Sequence, residues 1–186
     1  DFNLGLEARL KAAGLRSIHF VSPSIWAWRG GRIDKIRAAV DHVLCLFPFE
    51  PEIYQRAGIA ATYVGHPLAD AIPLDVSRAA ARAKLGLAEG DEVVALLPGS
   101  RRGEVTHIAP RLLAAAVELR RTRPHTRFVL PVAPGVRALL EPMLALHAPD
   151  LSVQLLDGQS HEALAACDLT LIASGTATLE AALFKR

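Results

Sequence analysis

The sequence lacks most of the features that would assign it quickly. No apolar stretch approaches the ~20 residues that cross a bilayer and no stretch has signal-peptide character, so any membrane contact is expected to be peripheral. Cysteine is scarce. Cys45 and Cys167 sit singly in or beside apolar runs, without CxxC or Cys/His metal spacing, and are expected to be buried reduced thiols with no metal site. Charge of one sign is not in excess either: the net charge is +2, with 8 Lys+Arg against 7 Asp+Glu up to Leu74 and 13 against 12 beyond it. No basic half exists to coat nucleic acid. The P-loop pattern GxxxxGK[ST] and the dinucleotide pattern GxGxxG are missing, which argues against ATPase and dehydrogenase chemistry, and no GxSxG marks a nucleophilic serine. Segments of low complexity are absent, and about half of the 186 residues are apolar, so a packed core is expected rather than disorder.

What is present is alternation. Short β-rich apolar runs at 17–21, 42–47, 61–65, 92–98, 126–132, 151–156 and 169–173 are separated by amphipathic helical patterns near 2–13, 30–40, 49–57, 77–85, 103–123, 135–147, 159–166 and 176–185. That order is the signature of βαβ units in a parallel, doubly wound α/β sheet. One connection departs from it. Residues 65–78, "GHPLADAIPLDVSR", carry two prolines and a glycine with no strong period until Ser77 can cap the next helix. An interdomain linker is expected there, with residues 1–70 forming the end of one Rossmann-like domain and 71–186 most of a second. The chain begins at Asp1 and stops at Arg186 inside a helical pattern, so it reads as an internal piece of a longer protein.

Two turns have the character of anion sites. In "ALLPGSRRGEV" a strand ends at Pro98, Gly99 allows a tight turn or close backbone approach, and Ser100 can cap a helix with Glu104 in its first turn. Amides at that helix start, with Arg101 or Arg102 beside them, suit a diphosphate; the plain alternative is an ordinary capped turn with solvated arginines. In "LTLIASGTATLEAALFK", Ser174, Gly175 and Thr176 again leave amides at a helix start, and Glu180 falls where a carboxylate could accept from ribose hydroxyls or simply be solvated. A third stretch, "HFVSPSIWAWRGGRIDKIR", places Trp26 and Trp28 beside Arg29 on a loop. Those side chains suit the sugar or acyl part of an amphipathic substrate or a headgroup interface; packing in the core is the alternative. The histidines, His66, His107 and His19 among them, show no ligand spacing.

Taken in order, "SPSIWAWR" with "RIDKI", "GHPLAD", "LLPGSRRGEV" and "ASGTATLEAAL" closely resemble the lipid-A-disaccharide synthases, bacterial glycosyltransferases of the GT-B architecture, across essentially the whole chain. The resemblance implies two Rossmann-like domains, both truncated here. It also implies an inverting transfer, with no cofactor, of 2,3-diacylglucosamine from its UDP conjugate to the 6-hydroxyl of 2,3-diacylglucosamine 1-phosphate, in lipid A biosynthesis. Location would be cytoplasmic, peripheral at the inner membrane. Carried onto this chain, Gly99, Ser100 and Arg101 lie near the donor diphosphate, and Ser174, Gly175, Thr176 and Glu180 around phosphate and ribose. Trp26, Trp28 and Arg29 would meet acceptor or membrane, and Asp1 of "DFN" would be the general base. The piece alone is expected to be inactive. Rival readings on the same scaffold are a UDP-sugar 2-epimerase, which would not be expected to carry "SIWAW", and a non-catalytic nucleotide-sugar-binding module.

Overall fold

A computed structural model of the chain describes residues 2–28, 30–173 and 175–186. Three sequence candidates, Asp1, Arg29 and Ser174, lie outside the described residues. The chain divides into two compact units, Asp1–Ala71 and Ile72–Arg186.

The first unit runs α1 (Phe2–Ala12), β1 (Ile18–Phe20), a 3-10 turn at Gly30–Arg32 leading into α2 (Ile33–Ala39), β2 (His42–Cys45), α3 (Glu50–Arg56), β3 (Ala60–Tyr63) and α4 (Pro67–Ala71). Its strands form a parallel sheet in the order β1-β2-β3, with Ile18 beside His42 and His42 beside Ala60. Alternation along β2 sends Val43 and Cys45 into a core with Ile36 and Ala39 of α2 and Tyr54 of α3. Helix α4 is a correction, since no period was expected between residues 65 and 76. Proline at its first position supplies a ready-made helical φ without losing a bond, and five residues are too few to display a period.

The second unit runs α5 (Arg78–Leu85), β4 (Val93–Leu97), α6 (Arg102–Thr122), β5 (Arg127–Val132), α7 (Arg137–His147), β6 (Val153–Asp157), α8 (Ser160–Ala166), β7 (Leu169–Ile172) and α9 (Thr176–Leu183). Its parallel sheet has the order β6-β5-β4-β7. Val105, Ala109, Leu113 and Ala116 recur at helical spacing along α6 and pack on Val94 and Leu96 of β4 and on Phe128, Leu130 and Val132 of β5. With α8 also packed against β4 and β5, all five residues of β4 are buried, as a central parallel strand requires. Ser77 caps α5 as expected, its hydroxyl accepting from the amide of Ala80 at 3.2 Å.

The amino ends of β4 and β7 are fastened by an ionic group. Arg82 is 3% exposed and donates to the carbonyls of Ala166 (3.0 Å) and Glu89 and to the carboxylate of Asp168 (2.7 Å). Asp168 in turn accepts from the amide of Val93 at 2.9 Å and from Arg78 at 2.7 Å. Every strong donor there has an acceptor, which is the condition for keeping a buried guanidinium. The two cysteines are buried, and burial is the main cause of their raised pKa, to about 11 for Cys45, so both are held as thiols. Among the described residues no helix is long and apolar enough to cross a membrane.

Candidate functional site

Strand order decides where the second unit can bind a ligand. From β4 the chain adds β5 and β6 on one side, then returns to place β7 on the other, so the winding reverses between β4 and β7. In open α/β sheets the crevice lies outside the carboxyl ends of the strands at such a reversal. The two candidate anion turns leave from those two strands. Leu97 is paired with Ile172, and the amide of Ala173 donates to the carbonyl of Leu97 at 3.0 Å. The two turns that hold Gly99, Ser100 and Arg101 and Gly175 and Thr176 therefore start from neighbouring strand ends. Glu180 lies farther along α9, its carboxylate 3.5 Å from Nε2 of His161.

At the first turn the capping differs from expectation. Arg101, not Ser100, occupies the N-cap position of α6, and the carboxylate of Glu104 folds back over the turn. It accepts from the amides of Ser100 (3.1 Å) and Arg101 (3.2 Å) and from the Arg101 guanidinium (2.6 Å). The glycine is needed for this closure. Gly99 has φ +114°, and a Cβ there would stand 2.7 Å from both Cβ and a carboxylate oxygen of Glu104. Chemically, the helix's own carboxylate occupies the amides that were expected to be open, so the turn is closed by a capping box, as in the plain alternative of an ordinary capped turn. The Arg101 side-chain bond, followed by the amides of Arg101 and Ser100, lowers the Glu104 pKa below its ordinary 4.5. A carboxyl depressed in this way contributes fully above its unfolded pKa and loses its contribution as pH falls through the lower folded value. The closed turn therefore belongs to neutral pH and weakens only in acid below about pH 4.5.

The first unit gathers aromatic side chains at the carboxyl ends of its strands. Trp26 follows β1, Phe47 and Phe49 follow β2, and His66 follows β3. Trp26 meets Phe49 edge-on at 5.1 Å between centroids, Phe47 and Phe49 stack at 5.7 Å, and Phe47 lies 6.3 Å from the His66 ring. Trp26 and Trp28 remain 47% and 68% exposed, so neither is a buried core residue. Sequence reasoning missed what holds the group. Glu50 is 2% exposed and accepts from the indole Nε1 of Trp26 (3.2 Å) and from the amides of Leu46 (3.0 Å) and Phe47 (2.9 Å). An acid at the start of α3, directly after "FPF", was the available signal: a carboxylate there suits the helix dipole and can turn back onto the preceding loop.

An open parallel sheet whose winding reverses between two strands that each lead through a glycine-bearing turn into a helix defines the class: the second unit is a Rossmann-like α/β domain, a fold in which ligands bind outside the carboxyl ends of the strands. A solved structure of UDP-GlcNAc 2-epimerase from Neisseria meningitidis, bound to UDP-GlcNAc, matches 92% of this chain and 52% of its own at a TM-score of 0.64. At 12% identity that likeness concerns the fold, which is of the GT-B type. Sequence decides the family. The family model for lipid-A-disaccharide synthetase matches residues 1–186, and this chain belongs to that family. Among its relatives, the lipid-A-disaccharide synthases of Albidiferax ferrireducens and Verminephrobacter eiseniae are 59% and 57% identical over 186 residues, and that of Burkholderia pseudomallei is 56% identical over 187. Each match covers all of this chain and 48% of the relative, so the chain spans about half the length of the curated relatives it matches.

Proposed function

We propose that the chain forms part of an inverting glycosyltransferase that moves 2,3-diacylglucosamine from its UDP conjugate to the 6-hydroxyl of 2,3-diacylglucosamine 1-phosphate, releasing UDP in lipid A biosynthesis. The observation that carries the reading is the pairing of the Gly99–Arg101 and Gly175–Thr176 turns on neighbouring strands, in a chain of the lipid-A-disaccharide synthetase family. Residues 71–186 serve as most of the UDP-sugar domain and residues 1–70 as the end of the acceptor-side domain. Gly99, Ser100 and Arg101 receive the donor diphosphate; Ser174, Gly175 and Thr176 complete the phosphate seat and Glu180 accepts from ribose. The Arg101–Glu104 pair faces solvent, where ion pairs are worth little, so a doubly charged diphosphate can take Arg101 from Glu104 at small cost. Asp1 takes the proton from the acceptor hydroxyl, and the Arg101 turn stabilises the charge that develops on departing UDP.

The test is product analysis. A full-length protein carrying these residues, given both acylated sugars, is expected to yield UDP and disaccharide together. An epimerised sugar would favour the 2-epimerase reading, and binding without turnover would favour a nucleotide-sugar-binding module. Replacing Arg101 with alanine is expected to raise the donor KM or lower kcat by about 10-fold, the loss of one charge-assisted bond. Unchanged kinetics would count against the diphosphate seat.

Both substrates carry acyl chains, so the protein works at the cytoplasmic face of the inner membrane through peripheral contact. Trp26 and Trp28, with Arg29, supply the aromatic and cationic character such a contact uses. Trp26→Ala with Trp28→Ala is expected to weaken binding to anionic vesicles or raise the acceptor KM severalfold, on the order of the apolar contact removed. If co-sedimentation and acceptor KM both stay at their unsubstituted values, the aromatic loop has another purpose.

A further inference from the structure

In the first unit a continuous run of rings follows the carboxyl ends of β1, β2 and β3, the edge at which open parallel sheets bind ligands. From Trp26 the contacts pass to Phe49 at 5.1 Å, from Phe49 to Phe47 at 5.7 Å and from Phe47 to His66 at 6.3 Å, and Trp26 also meets Phe47 edge-on at 6.4 Å. The run is open to a ligand: Trp26 and Phe49 are each 47% exposed, and Phe47 and His66 are half-buried. It is also held in one arrangement. Buried Glu50 accepts from the indole of Trp26 and from the amides of Leu46 and Phe47, so a ligand laid on the rings need not first order them.

The polar atoms of the run narrow what it can hold. The indole N–H of Trp26 is already taken by Glu50, and Phe47 and Phe49 have no polar side-chain atom. Nδ1 of His66 accepts from the amide of Leu68 at 3.2 Å, so the ring proton sits on Nε2, which is a donor. Among the described residues no acceptor stands at that Nε2. The run therefore offers a broad apolar surface with a single N–H. A sugar ring laid on it would bring several hydroxyls to one polar partner, and a phosphate would meet no cation in the run; covering either without partners is costly. An acyl chain matches it. Its methylenes pack on the rings, and the one carbonyl at its head accepts the one N–H.

We propose that the rings of Trp26, Phe49, Phe47 and His66 seat one acyl chain of the acceptor, with Nε2–H of His66 donating to the carbonyl oxygen of that chain. The proposal rests on the transferase reading, in which residues 1–70 belong to the acceptor-side domain, and adds to it a subsite for the acyl group. Phe47, Phe49 and His66 thereby become specificity residues for acylated over unacylated acceptors.

The experiment uses the full-length protein in detergent with two acceptors, one carrying long acyl chains and one carrying acetyl groups in their place. Phe49→Ala is expected to raise KM for the long-chain acceptor about 10-fold and for the acetyl acceptor less than about twofold, because the contact removed is with the chain. His66→Ala is expected to raise KM about fivefold for both, since both carry the carbonyl. His66→Gln, which keeps an N–H donor on a side chain of similar reach, is expected to stay within about twofold of the unsubstituted protein. Donor KM should hold steady throughout. Phe49→Ala acting equally on both acceptors or on neither, or a His66→Ala protein with normal acceptor KM, overturns the acyl seat. So does a Phe49→Ala protein that loses vesicle binding while its acceptor KM in detergent is unchanged, which would make the rings a lipid-surface contact. Should a variant fail to fold, an acceptor with a photoreactive group on its acyl chain decides on the unsubstituted protein: labelling at Trp26, Phe47 or Phe49 supports the seat, and labelling elsewhere overturns it. If the unsubstituted protein forms no disaccharide, the transferase reading fails and the seat with it; an active protein whose variants keep normal acceptor KM removes the seat alone.

Discussion

Replacing Gly99 with alanine is expected to lower kcat/KM of the full-length protein about 100-fold, the scale of loss when a binding group is displaced by about 1 Å. Two independent features of the turn require it. The backbone at φ +114° is one that residues with a side chain rarely adopt. The added methyl would also stand 2.7 Å from Cβ of Glu104, an atom fixed to the first turn of α6 and unable to swing away. Relief therefore has to come from the backbone, shifting the Ser100 and Arg101 amides that receive charge. Gly99→Ala combined with Glu104→Ala removes the carboxylate contact but keeps the φ and the Cβ–Cβ approach, so it should remain impaired. Steady-state kinetics with varied donor check this; an alanine variant within twofold of normal would remove the steric argument.

Replacing Arg82 with alanine is expected to destabilise the second unit by about 3–5 kcal/mol, the cost of taking one partner from a buried ionic group. The change strips the carbonyls of Ala166 and Glu89 and leaves Asp168 with Arg78 and the Val93 amide. Arg82→Lys is expected to recover little, because one ammonium cannot reproduce the planar fork that reaches three acceptors. Denaturant unfolding with amide exchange along β4 measures the effect, and a loss below about 1 kcal/mol would mean the group is far less coupled than its burial implies. Since this network lies at the amino ends of β4 and β7, its loss should lower stability with little direct effect on donor KM in protein that remains folded.

The regular elements were legible because both periods are written locally. Alternating Val43 and Cys45 on β2 and Val105, Ala109, Leu113 and Ala116 on α6 each announce a face by spacing, and the short unbroken apolar run of β4 announces a strand covered on both sides. Helix α4 escaped, being shorter than two turns. At the candidate site, the glycine and arginine of the first turn could be read, but the partner of its amides could not. Ser100 and Glu104 are both plausible caps by composition, and only side-chain geometry shows the carboxylate taking the amides. Glu50 looks like an ordinary helix acid in a sequence; its importance arises from Trp26, which lies 24 positions away.

The amino-acid sequence by itself determined two things: the α/β class, through hydrophobic period, and the family, through motifs whose residues are contiguous. Which turns leave from neighbouring strands was decided by tertiary structure alone, because parallel strands separated by many residues become neighbours only when the sheet winds. The reversal after β6 that lays β7 against β4 is a property of the whole winding, encoded in no single stretch, and it is what makes the turns of Gly99 and Gly175 start from neighbouring strands.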